Sequence, residues 1–335
     1  MTPYERVFAV LNNKPFDRYP IINPTSVAIY DSMKISNSYF PSAHYSIIET
    51  VELAKISHDL YKFDSIAPYF SIHLEACALG AEVNWNNIYT TPNIDKHMDY
   101  NLGKIKLPDN FLDLELIKNF ISVIKILKTK YNKRVPIIGK VVGPLSLAFL
   151  LFGARNILLD AIVEQDKVVE LLEKLSLISL QFAQAQFESG ADILTWADHS
   201  TCDLISANMY SELVLPIQRK ATSILKNYGP TILHTCGNVM DRLDYISQSG
   251  FDIFHIESRN DIKYAIEHYD NILFTGGINN PITLSNGSTK DIENEVTFLL
   301  DNGMKLISPE CAIPCNVTRE SLEFLTSTVH SRKVK

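Results

Sequence analysis

From about residue 130 onward the chain alternates strand-like and helix-like stretches. The apolar run Val135-Pro136-Ile137-Ile138-Gly139-Lys140-Val141-Val142, closed by Gly143-Pro144, predicts a buried strand. Residues 144–152 and 157–189 read as helices. In the second, Val168, Leu171, Leu172, Leu175 and Ile178 recur at spacings of three and four. Asp192-Ile193-Leu194-Thr195-Trp196 is the next strand. The helix predicted over residues 207–227 stops at Tyr228-Gly229-Pro230. Strand 231–235, helix 239–249, strand 252–256, helix 260–268, strand 271–275, helix 288–302, strand 305–308 and helix 317–329 follow. Gly250, Gly276, Gly277 and Gly303 punctuate the joints.

Regular alternation of this length predicts a parallel α/β sheet, closed or doubly wound. Two earlier runs, 19–23 and 65–70, add strand candidates. Six later strands and these two make eight, which favours a (β/α)8 barrel. Residues 82–108 are polar and turn-rich and read as an excursion on its rim. With neither linker nor internal repeat, residues 1–335 read as a single domain.

Composition narrows the setting. Hydrophobic residues make up 46% and charged residues 21% of 335, ordinary values for a globular protein with a large core. A formal net charge of −7 and the lack of basic runs argue against a nucleic-acid partner. A polar start and the lack of a bilayer-length apolar run point to a cytoplasmic protein without a membrane partner. The cysteines, Cys77, Cys202, Cys236, Cys311 and Cys315, are odd in number and widely spaced. That pattern suits reduced thiols better than a disulfide framework.

In a barrel, chemistry collects at the C-terminal ends of the strands. The residues expected there include Asn23, His73, Asp198, His199, His234, Cys236, Glu257 and Cys311. His234-Thr235-Cys236 ends a strand, and side chains two apart on a strand share a face. An imidazole and a thiol so placed are half a zinc site. If the fold brings up Cys311, held in a tight loop between Pro309 and Pro314, three ligands converge and one coordination position stays open. Three protein ligands are the arrangement of a catalytic zinc. Glu257 is a candidate fourth, displaceable ligand or base, against a plainer role as a rim carboxylate. His255 shares its face, either as a partner to the site or as a satisfied interior histidine. Asp198 and His199 are candidate substrate contacts, or a loop pair capping the next turn. Cys315, near the last helix, reads as structural.

Four stretches carry a family resemblance. They are Thr2-Pro3-Tyr4-Glu5-Arg6 with Asp17-Arg18-Tyr19-Pro20; Gly143-Pro144-Leu145-Ser146-Leu147-Ala148; His234-Thr235-Cys236-Gly237-Asn238; and Ile307-Ser308-Pro309-Glu310-Cys311-Ala312-Ile313-Pro314. Together they resemble the uroporphyrinogen decarboxylase superfamily, and more closely its corrinoid-linked branch, the methylcobalamin:coenzyme M methyltransferases. Residues 75–83 are also similar to that branch. The likeness runs nearly end to end.

The resemblance implies a TIM barrel with Zn2+ on His234, Cys236 and Cys311. It places Glu257 where some members have a carboxylate in the fourth position. It implies coenzyme M as the substrate and methylcobalamin, carried on a partner corrinoid protein, as the methyl donor. Asn23, Asp198 and His199 are its candidate substrate contacts. The family usually has a glycine before the last ligand, where this chain has Glu310, adding a negative charge near the site. Three alternatives stay open: decarboxylation of a carboxylate-rich tetrapyrrole, methyl transfer to homocysteine or tetrahydrofolate, and a non-enzymatic zinc scaffold. The first needs several guanidinium groups, and residues 1–133 hold only Arg6 and Arg18.

Overall fold

The computed structural model describes residues 1–101 and 105–334. A short antiparallel hairpin, β1 (Glu82–Asn84) with β2 (Asn93–Lys96), precedes the main sheet. Six parallel strands then pair in sequence order: β3 (Ile138–Val142), β4 (Ile193–Ala197), β5 (Thr231–His234), β6 (Ile253–Ile256), β7 (Leu273–Ile278) and β8 (Ser308–Pro309). Helices fill the crossovers, as parallel pairing requires. The fold is a (β/α)8 barrel in which two staves are reduced. Residues 19–23 and 65–70 do not form full strands. Each contributes a single parallel bridge, Ile21 with Ile307 and Ile66 with Ile137. Pro20, Pro24 and Pro68 supply no amide donor there, so longer ladders cannot form. The ring still closes through Ile22 N to Ile307 O at 2.9 Å, Asp64 N to Ile21 O at 2.7 Å and Ile138 N to Ile66 O at 2.8 Å.

Strand alternation decides what faces the barrel interior. Ile138, Ile193, Ile232 and Ile253 form an apolar floor with Val7 and Val10 of the N-terminal helix Pro3–Leu11. Two residues further along the same strands stand Lys140, Thr195, His234 and His255, all buried. A dry floor therefore supports a polar layer, and the site is built on that layer.

Two helical expectations need correction. The helix read over 157–189 is two, Ala154–Val163 and Gln165–Glu188, broken at Glu164, where φ is −135° and ψ is 44°. Apolar spacing continued across the break and hid it. The helix expected over 207–227 carries a wide turn at Tyr210–Val214 before Leu215–Leu225. The excursion over 82–108 is present as the hairpin and its flanks. Its positions 102–104 lie outside the described residues. Among the described residues no single helix is long and apolar enough to cross a membrane.

Candidate metal centre

His234 is the last residue of β5, and Cys236 lies just beyond it. Gly237 turns the chain there with φ +106°, a conformation that favours glycine. A Cβ at Gly237 would also stand 2.8 Å from Thr201 Cγ2. Cys311 arrives from the loop after β8. Its Sγ lies 3.4 Å from Cys236 Sγ and 3.5 Å from His234 Nε2, and Cys236 Sγ lies 2.9 Å from the same nitrogen. The three donor atoms fall within 4.8 Å of one another. Zinc–sulfur bonds of about 2.3 Å and zinc–nitrogen bonds of about 2.0 Å give tetrahedral edges of about 3.8 Å and about 3.5 Å. The Cys311–His234 separation of 3.5 Å matches, while those of Cys236 to Cys311, 3.4 Å, and to His234, 2.9 Å, are shorter; the donor types fit such an ion.

The thiols are electrostatically linked. Their mutual hydrogen bond pulls Cys311 below the usual thiol range against the effect of burial, with help from His234. The same contact, reinforced by burial, pushes Cys236 up. The pair gives up one proton readily and the second reluctantly, and a bound cation favours loss of both.

The loop carrying Cys311 is held on three sides. His255 Nε2 donates to Pro309 O at 2.7 Å. Asn23 Nδ2 donates to Cys311 O at 3.3 Å and Ser26 O at 3.1 Å, while its Oδ1 accepts from Thr25 N at 2.8 Å. Glu310 turns its carboxylate away from the thiols, accepting from Ser258 N at 2.9 Å and Asn280 N at 3.1 Å. Glu310 thus ties the loop carrying Cys311 to Ser258 and Asn280, just beyond the neighbouring strands. His255 and Asn23 both hold the loop in place.

Glu257 stands outside the three-donor cluster. Its Oε2 pairs with Arg259 Nε at 2.8 Å. Burial raises its pKa and Arg259 partly offsets this. Asp198 is buried, and its Oδ1 accepts from Ser146 N at 2.8 Å. It thereby caps the helix Pro144–Phe152, and a Cβ on Gly143 would come within 2.4 Å of its Cγ. Burial lifts its pKa to about 6 against that bond. His199 lines the same cavity as the three donors, one of ≈ 320 Å³ whose walls also carry His73, Lys140 and Ser146. Burial lowers the His199 pKa. Cys315 lines a separate cavity with His44.

Sequence reasoning missed Lys140. It is 4% exposed, and its Nζ lies 4.7 Å above the Tyr69 ring. Burial brings its pKa down to about 8, and the neighbouring thiols and Glu75 resist the fall. A lysine in the middle of an apolar strand was the available signal. Glu75 was missed too. It is fully buried, accepts from Val142 N at 2.9 Å, and burial raises its pKa to about 8.

A model of the uroporphyrinogen decarboxylase (URO-D) family matches residues 2–332. The chain belongs to that family. Within it, the chain is 30% identical over 340 residues to the methylcobamide:CoM methyltransferase MtbA of Methanosarcina acetivorans, covering 99% of this chain and 98% of that protein. It is 26% identical to the methylcobamide:CoM methyltransferase MtaA of Methanosarcina barkeri, with 96% of each covered. A solved methyltransferase from Methanosarcina mazei superposes with a TM-score of 0.93 at 25% identity, covering 98% of both chains. The likeness to the corrinoid-linked branch is thereby borne out, and these relationships make this URO-D family member a methyltransferase.

Proposed function

We propose that this chain moves a methyl group from a methylcobamide on a separate corrinoid protein to the thiol of coenzyme M, with zinc held by His234, Cys236 and Cys311. The observation that carries the reading is the convergence of one imidazole and two thiols on the wall of a ligand-sized cavity. The names of the related methyltransferases supply donor and acceptor.

Free alkyl thiols are mostly protonated at neutral pH, and the thiolate is the nucleophile. When bound, zinc favours the thiolate form of the substrate. The chain's residues do the rest. His234 and the two cysteines offer three donors, which leaves a tetrahedral ion one position for a substrate. Glu257, outside the cavity wall and paired with Arg259, relays the thiol proton to solvent. His199 contacts the substrate from the cavity wall. The substrate sulfur then bonds to the methyl carbon as the carbon–cobalt bond breaks, and its electron pair stays on cobalt. A carboxylate-rich tetrapyrrole would need several cationic partners and more room than ≈ 320 Å³ with one lysine.

The test is metal content and methyl transfer in Cys236→Ala, Cys311→Ala and Cys315→Ala. The first two should lose metal and fall in activity by roughly 100-fold or more, since even residues that only orient ligands cost about 10–100-fold. Cys315→Ala should keep both properties. Normal loading and activity in both ligand variants would overturn the assignment.

A further inference from the structure

Lys140 is the charged side chain of the cavity that has no ionic partner. It is 4% exposed and rises from β3 into the same space as the cysteine thiols. Its backbone groups are satisfied by Gln186 at 2.9 Å each. Its Nζ has the face of Tyr69 at 4.7 Å but, among the described residues, neither a hydrogen-bond acceptor nor a carboxylate in salt-bridge range. The buried carboxyl nearby, Glu75, is engaged by Tyr69 and Val142 N. The cavity wall holds no carboxylate, and Thr25, Ser71 and Ser146 add hydroxyl groups to it. Burying an ammonium without a partner is costly, and the cost is relieved when an anion enters.

We infer that Lys140 receives the anionic end of the substrate, so that the cavity selects short thiols carrying a strong-acid group such as a sulfonate. The inference rests on the methyl-transfer reading above. It makes Lys140 a specificity residue: one end of the substrate is held by its sulfur at the metal centre, the other by charge. The volume, ≈ 320 Å³, lies at the small end of ligand pockets, about 300–1,000 Å³, and suits a compact molecule. A buried ammonium also disfavours neutral thiols, because it stays unpaired when they bind.

The experiment is calorimetric titration of metal-loaded wild type, Lys140→Met and Lys140→Arg with coenzyme M and with ethanethiol, which lacks the anion. Metal content is measured in parallel. Wild type should prefer coenzyme M, and Lys140→Met should shrink that preference by roughly 30-fold or more, the usual scale for truncating one partner of a buried charge pair. Lys140→Arg should retain more of the preference than Lys140→Met. An unchanged preference in Lys140→Met, or equal weakening of both thiols, overturns the inference and leaves methyl transfer standing. Loss of metal from Lys140→Met also overturns it, because Lys140 would then support the thiol ligands. Wild type that binds neither thiol overturns the methyl-transfer reading and this inference with it.

Discussion

Cys236 and Cys311 are separated by 75 positions in sequence, yet their sulfurs lie 3.4 Å apart. Cys236 is fixed by the turn at Gly237, and Cys311 by a loop tied to three neighbouring segments. The geometry of the centre therefore depends as much on the loop's anchors as on the donors themselves.

Glu310 is the anchor with the largest expected structural cost. Replacing it with glycine leaves Ser258 N and Asn280 N without their acceptor. Glu310→Gly should lower stability by about 2 kcal/mol or more, since unsatisfied buried donors cost about 1–3 kcal/mol each. Chemical denaturation with unchanged slope measures this. Stability equal to wild type would show that water replaces the carboxylate.

Asn23 was a candidate substrate contact, but its amide is spent on Cys311 O, Ser26 O and Thr25 N. Asn23→Ala should weaken metal binding by about 10-fold, the lower end for residues that orient ligands. Competition against a chelator reads this directly. Weakened coenzyme M binding with metal affinity intact would instead support a substrate contact.

Glu75 sets a pH dependence. Its pKa is raised from 4.5 to about 8 by burial, so the folded state holds a proton that the unfolded chain releases. Its contribution is fully present below about pH 4.5 and is lost as pH rises through about 8. Glu75→Gln mimics the protonated form and should flatten the decline in stability over that window. Denaturation midpoints across the pH range measure it. An unchanged slope would show that Glu75 is ionised in the fold.

The barrel was legible from the chain because its floor and polar layer follow strand alternation, as at Ile138 with Lys140 and Ile232 with His234. The two N-terminal staves were overread, because apolar content at 19–23 and 65–70 outweighed the missing amides of Pro20 and Pro68. The three donors were legible from residue type and expected strand ends. The roles of Asp198 and Asn23 were not, because whether a polar side chain faces a cavity or a backbone amide depends on tertiary packing. Lys140 passed unnoticed inside an apolar run, although a charge there must be buried.

The most direct test of the proposed thiol activation is titration of the metal-loaded protein with coenzyme M in buffers of differing ionisation enthalpy, which counts protons released. At neutral pH the bound thiol should release about one proton per molecule, because the free thiol is mostly protonated and metal ligands must shed theirs. Cys311→Ala should abolish that release. Binding to wild type without proton release would contradict thiol activation at His234, Cys236 and Cys311.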